Sequence, residues 1–165
     1  SAVALVLQLV QPGNLILAAH DCYGGTHRIL RSLAARGHFH VSFADLPCAS
    51  ASEAVIARRP RLLWIETPSN PLLRLTDLSS VIAAGHQVGA IVAVDNTFLS
   101  PVLQRPIEFG ADLVGHSTTK YLKGHSDVVG GALVAADAAR VDDLACWAKA
   151  PQITATPIGR YGPLP

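Results

Sequence analysis

The chain alternates short apolar runs that favour strands with longer segments whose apolar positions recur at helical spacing. Ser1–Val10 reads as a helix stopped by Pro12-Gly13-Asn14, and Leu15–His20 reads as a strand. In Gly25–Arg36 the apolar Ile29, Leu30 and Leu33 share one face. Gly37 follows where a glycine can close a helix. Phe39–Phe43 alternates as a strand does, Ser52–Arg58 is a short helix stopped by Pro60, Leu62–Ile65 is a strand, and Asp77–His86 is a helix with Asp77 near its start. Ala90–Val94 reads as a buried strand ending at Asp95. Leu113–Val114 and Gly131–Ala135 are further strands, and Asp137–Trp147 is a helix. This order predicts an α/β fold, a mainly parallel or mixed sheet flanked by helices on both faces.

In such sheets ligands bind at the carboxyl ends of the strands. The polar clusters fall there: His20-Asp21-Cys22-Tyr23, Glu66-Thr67-Pro68-Ser69-Asn70, Asp95-Asn96-Thr97, and His116-Ser117-Thr118-Thr119-Lys120. Four polar tips on one rim point to a single site. Asp95 closes an apolar run, so its carboxylate is partly desolvated and needs a cationic or donor partner, for which a protonated pyridine nitrogen would serve. Ser117 and Thr119 can donate to a phosphate, and Lys120 can form an imine with an aldehyde. The ring of Tyr23 can lie against a flat heterocycle, and Gly24 and Gly25 let backbone approach a ligand. Asn70, between Pro68 and Pro71, can hydrogen-bond a ring hydroxyl. Taken singly, each residue also has an ordinary reading: Asp95 as a helix cap or metal ligand, Lys120 as a solvated surface lysine, Tyr23 and Asn70 as turn chemistry.

Composition narrows the field. A length of 165 residues suits one domain, and an apolar half with 15% charged residues is enough for a sizeable core. A net charge of +1 gives no electrostatic case for nucleic acid or an anionic membrane. No run reaches the ~18 apolar residues of a membrane span, and the opening SAVALVLQLV, without a basic leader, reads as a core helix. The odd count of cysteines, Cys22, Cys48 and Cys146, none in a C-x-x-C pair, argues against a disulfide scaffold and fits a reducing cytoplasm. Each reads as a small buried hydrophobe. His116, His125 and Asp127 match no common zinc spacing, so no metal is expected. No G-x-G-x-x-G follows a strand, which argues against a nicotinamide domain.

The stretches HDCYGGTHRIL, WIETPSNPLLRLTDL and VAVDNTFLSPVLQRPIEFGADLVGHSTTKYLKGHSDVVGGALV together resemble the Cys/Met metabolism family of pyridoxal 5′-phosphate (PLP) enzymes, the trans-sulfuration enzymes. The resemblance runs from Ser1 to about Ala148. It implies the large domain of a fold type I, aspartate aminotransferase-like PLP enzyme. It also implies that Lys120 is the Schiff-base lysine and a proton carrier, that Asp95 pairs with the pyridine nitrogen and that Tyr23 stacks on the ring. Asn70 would bond the ring oxygen, Ser117 and Thr119 would bind the phosphate, and Arg28 would lie near the distal end of the substrate. The implied reaction is γ-replacement: O-succinylhomoserine or O-acetylhomoserine plus cysteine gives cystathionine and the free acid. A γ-lyase, a homoserine-ester sulfhydrylase or a non-catalytic remnant of the fold are the alternatives. Partners would be small amino-acid substrates, and full-length relatives are homotetramers.

Family members are about twice as long or more. Their phosphate-binding glycine turn, subunit-bridging arm and C-terminal substrate domain have no counterpart in these 165 residues. Residues 1–148 are therefore expected to be part of the PLP domain, followed by a divergent Pro-rich tail over 149–165. The chain alone is expected to be poorly active and prone to aggregate.

Overall fold

The computed structural model of the chain describes residues 2–149; most of the tail assigned to 149–165 lies outside them. Six strands form one sheet: β1 (Leu15–Ala19), β2 (His40–Ala44), β3 (Leu62–Glu66), β4 (Ile91–Asp95), β5 (Leu113–Ser117) and β6 (Gly131–Ala135), in the spatial order β2-β1-β3-β4-β5-β6. The first five run parallel and β6 is antiparallel to β5. The order reverses direction at β1: β2 lies on one side of it and β3 on the other. In open parallel sheets that reversal opens a crevice at the carboxyl ends of the strands.

The helices are α1 (Ala2–Leu7), α2 (Gly24–Ala35), α3 (Ala51–Arg58), α4 (Leu78–Gln87), α5 (Ser100–Leu103) and α6 (Ala138–Lys149). The pleat sends alternate strand residues to opposite faces, and each face has its own core. On one face Leu17, Leu63, Ile65, Val92 and Val94 pack with Val55 of α3 and Val81 and Ile82 of α4. On the other, Ile16, Trp64, Ala93 and Leu113 pack with Val6 of α1, Leu30 of α2 and Leu144 of α6. Full coverage on both sides explains why β3 is buried at every position.

Most boundaries agree with the apolar pattern within one or two residues. Asp77 caps α4, its carboxylate accepting from the Ser80 N–H at 3.2 Å. Gly37 adopts a φ of +81°, and the His38 N–H donates to the Leu33 carbonyl, which closes α2 as the glycine predicted. Three features differ. Strand β5 continues to Ser117 because β6 pairs with its second half, His116 against Ala132 and Ser117 against Gly131. Short α5 and a 3-10 turn at Pro106–Phe109 occupy a stretch with no helical period long enough to read. Of the three cysteines only Cys22 is fully buried; Cys48 is partly exposed and Cys146 exposed, and none is paired. Cys146 lies on α6, outside the stripe that carries Leu144 into the core.

Candidate active site

The carboxyl ends of β1, β3, β4 and β5 enclose a cavity of about 280 Å³, lined among others by Tyr23, Glu66, Asn70, Asp95, Ser117 and Lys120. It adjoins a larger hollow of about 710 Å³ that shares Tyr23, Asp95 and Ser117 and reaches Thr119, Trp64 and the start of α1. Residues spread over nearly a hundred positions of sequence thus meet because five consecutive strands all point their ends the same way.

Asp95 is the last residue of β4 and stands opposite Glu66 of β3 and Gly115 of β5 in the sheet. Burial pushes its carboxyl above the ordinary range. Hydrogen bonds from Thr97 and the nearby His116 imidazole act in the opposite direction. The Thr97 hydroxyl and backbone N–H both donate to Oδ1, at 2.5 and 3.0 Å. Among the described residues no cation pairs with Asp95, so Oδ2 is left for a donor from the cavity. The Thr97 hydroxyl also accepts from the Ser117 N–H at 2.9 Å, tying the carboxylate to the end of β5. Thr97 stood in one of the polar tips but was given no role of its own; its place two positions after a strand-end aspartate, where an Asx turn forms, is the signal that could have assigned one.

Tyr23 precedes α2 with its ring half exposed to the cavity. Its backbone N–H donates to Glu66 Oε2 at 2.8 Å. The ring folds over Gly25: a Cβ there would sit 2.5 Å from Tyr23 Cε1. Gly25 is thus needed first for the tyrosine's own placement, and only its backbone faces the larger hollow. Asn70 hangs over the cavity from the loop after β3, whose Thr67-Pro68 and Asn70-Pro71 bonds are both cis. Lys120 lies in a turn after β5, its N–H donating to the Ser117 carbonyl at 3.2 Å, and its side chain is exposed into the cavity mouth.

Two expected residues do not line the smaller cavity. Thr119 lines only the larger hollow, and its hydroxyl is engaged with Gly130: it accepts from the Gly130 N–H at 2.9 Å and donates to the Gly130 carbonyl at 3.3 Å. To donate to a phosphate, that hydrogen must turn away from Gly130. Arg28 lines neither cavity; it lies exposed one turn along α2, its guanidinium 3.5 Å from where a Cβ on Gly24 would be. Among the described residues no group of three or more His, Cys, Asp and Glu is arranged to hold a metal, and no helix is long and apolar enough to cross a membrane.

The donor set suits a flat, cationic heterocycle bearing an aldehyde and an anionic arm. It offers a desolvated carboxylate with a free oxygen, an aromatic ring, an amide, hydroxyls and a primary amine. A doubly covered parallel sheet with these groups at its switch point is the large domain of a fold type I PLP enzyme. A profile of the family described as Cys/Met metabolism PLP-dependent enzyme matches residues 1–158. The chain belongs to that family, and its cofactor is pyridoxal 5′-phosphate. It is 51% identical to cystathionine γ-synthase of Escherichia coli K12 over 150 residues, which are 90% of this chain and 39% of that protein. It is 38% identical to cystathionine β-lyase of Coxiella burnetii over 138 residues, 83% of this chain and 36% of that one. The crystal structure of cystathionine γ-synthase from Xanthomonas oryzae pv. oryzae in complex with aminoacrylate and cysteine superposes with a TM-score of 0.95 at 53% identity, covering 98% of this chain and 42% of that chain. The chain therefore spans about 40% of the length of these relatives.

Proposed function

We propose that this chain is the cofactor-holding part of a cystathionine γ-synthase-type enzyme. Such an enzyme joins O-succinylhomoserine or O-acetylhomoserine to cysteine, forming cystathionine and releasing succinate or acetate. The coarser class stands on the family match: a PLP-dependent enzyme of trans-sulfuration. The finer reading is supported by the 51% identity to a γ-synthase, against 38% to a β-lyase. The observation that carries the site is that Lys120, Asp95 and Tyr23 line one cavity.

Bound there, pyridoxal phosphate supplies an electron sink for chemistry at the substrate's α- and β-carbons. The protein's groups do the rest. Lys120 Nζ would hold the cofactor and, when free, would move protons between the substrate carbons. Asp95 would keep the ring nitrogen protonated, and Thr97 fixes the carboxylate's direction. Tyr23 would cover the ring and exclude water, and Asn70 would donate to the ring oxygen. Ser117, with Thr119 after its hydroxyl turns, would bind the phosphate. Arg28, exposed on α2, is assigned to the distal end of the substrate. We place the enzyme in the cytoplasm, where unpaired Cys22, Cys48 and Cys146 suit a reducing environment, and assign it to homotetramers with amino-acid substrates as its partners.

The test combines binding and turnover. The protein carrying this chain, mixed with pyridoxal phosphate, is expected to absorb near ~420 nm through the lysine-held cofactor, and Lys120→Ala is expected to lose the band. Assays with O-succinylhomoserine plus cysteine, the same ester plus sulfide, and cystathionine alone then separate synthase, sulfhydrylase and lyase. Cystathionine formation as the fastest of the three supports the proposal. Faster cleavage of cystathionine, or faster use of sulfide, replaces it, and a band without turnover identifies a non-catalytic fold.

A further inference from the structure

Glu66 is a carboxylate the proposed chemistry does not use, yet it is built into the cavity wall. It ends β3, is only 4% exposed, and faces the cavity on the same side of the sheet as Trp64 and Asp95. A glutamate so placed needs partners. Among the described residues no lysine, arginine or histidine forms an ion pair with it. Its hydrogen-bond partner is backbone: the Tyr23 N–H donates to Oε2 at 2.8 Å, while Glu66 itself roots the loop that carries Asn70 over the same cavity. The Tyr23 turn and the Asn70 loop leave the sheet from different strands, β1 and β3, on the two sides of the topological reversal.

We propose that Glu66 is a positioning residue whose one side chain ties the Tyr23 turn to the Asn70 loop, and so sets the ring-stacking tyrosine and the ring-oxygen amide at a fixed separation. The proposal deepens the PLP reading of the cavity and rests on it for its effect on the cofactor. The tie itself is a property of the chain with or without cofactor. It is also adjustable. Burial pushes the Glu66 carboxyl up to about 7, with the neighbouring Asp95 and Asp21 carboxylates adding to the rise and the Tyr23 and Asn70 backbone opposing it. The Cys22 thiol beside it is pushed up to about 12, by burial first and then by Glu66 and Asp21, and so stays neutral. Near neutrality Glu66 therefore passes between a charged acceptor, which grips the Tyr23 amide, and a neutral one, which grips it less.

Two variants test this. Glu66→Gln keeps the volume and an acceptor for the Tyr23 amide, whereas Glu66→Met keeps the volume and offers none. Amide hydrogen exchange is followed on the full chain with and without pyridoxal phosphate, and cofactor retention is measured in parallel. In Glu66→Met we expect the Tyr23 amide to exchange about tenfold faster or more, and pyridoxal phosphate to be held about tenfold less tightly. Glu66→Gln should restore Tyr23 protection to within about threefold of the parent. Parent-like protection of Tyr23 in Glu66→Met overturns the proposal. If Glu66→Met fails to fold, an unprotected Tyr23 amide in Glu66→Gln overturns it and a protected one supports it. Altered exchange in a chain that never takes up pyridoxal phosphate upholds the tie and rejects the PLP reading, so the two failures are distinct.

Discussion

The cavity wall made by the ends of β1, β3 and β4 is dense with buried, partnered polar groups, whereas the wall after β5 is open to solvent. On the first, Ser69 donates to Asp21 at 2.7 Å, Asn96 donates to the Gln104 carbonyl at 2.7 Å, and Gln104 donates back to Asn96 at 2.9 Å. Glu66, Thr67, Ser69 and Asn96 are all buried. On the second, Lys120 and Tyr121 are exposed, Val129 is 92% exposed, and β6 buries none of its residues fully. The β5–β6 ladder ties that limb back, and Thr118 and Thr119 add hydrogen bonds to Gly130. The difference matches the tasks proposed for Asp95 and Lys120. A group that must keep a ring nitrogen protonated works best when fixed and desolvated, because each hydrogen bond is stronger in a low dielectric. An amine that must bind a cofactor, release it and carry protons needs room to move. In the proposed enzyme the buried wall holds the cofactor and the open wall carries the reacting amine.

The comparison can be broken most sharply at the reacting end. Lys120→Ala should abolish the ~420 nm band and cut turnover by on the order of a thousandfold, while leaving thermal stability within about 0.5 kcal/mol of the parent, as expected of an exposed side chain. A large loss of stability would show that the open wall is structural after all. On the rigid wall, Asp95→Asn should weaken cofactor retention on the order of a hundredfold. It should not destabilise the cofactor-free chain, because burial raises the Asp95 carboxyl and its charged form opposes folding. Equilibrium dialysis and urea unfolding check the two halves.

Glu66 sharpens the contrast through pH. Its folded carboxyl titrates at about 7 against an ordinary 4.5, so the folded chain holds that proton more tightly than the unfolded one. The stability this confers is complete below pH 4.5 and is lost as pH rises to about 7, on the order of 2–3 kcal/mol. Unfolding measured across that window should lose this slope in Glu66→Gln. Thr97→Val, which cuts the link from Asp95 to the end of β5, should cost about 1–2 kcal/mol and about tenfold in cofactor affinity. The smallest effect on the cofactor should come from Arg28→Ala. Cofactor titration should be unchanged, and only the substrate KM of the active enzyme should rise; a shift in cofactor affinity would put Arg28 against the ring instead.

Much of this was legible along the chain because the signals are local. Period-two and helical apolar spacing predicted the strands and main helices, and Gly37 and Asp77 marked helix ends through chemistry that acts within a few residues. The cluster of Tyr23, Asn70, Asp95, Ser117 and Lys120 was readable because parallel strands place every carboxyl end on one rim. The sequence could not show that Thr119 spends its hydroxyl on Gly130, since that follows from how the β5–β6 connection closes. Nor could it show that Arg28 stays out of the cavity, since that depends on where the α2 surface points. The antiparallel pairing of β6 extended β5 through Ser117 for the same non-local reason.

By itself, then, the order of residues determined which elements form and which end of each carries the chemistry, because backbone periodicity and turn chemistry are set by near neighbours. Only the tertiary structure decided which polar tips touch. The Glu66 carboxylate meets the Tyr23 amide 43 positions away, and Thr97 meets Ser117 20 positions away. Those contacts exist only when strand register brings the ends together, and no local rule encodes register across a crossover.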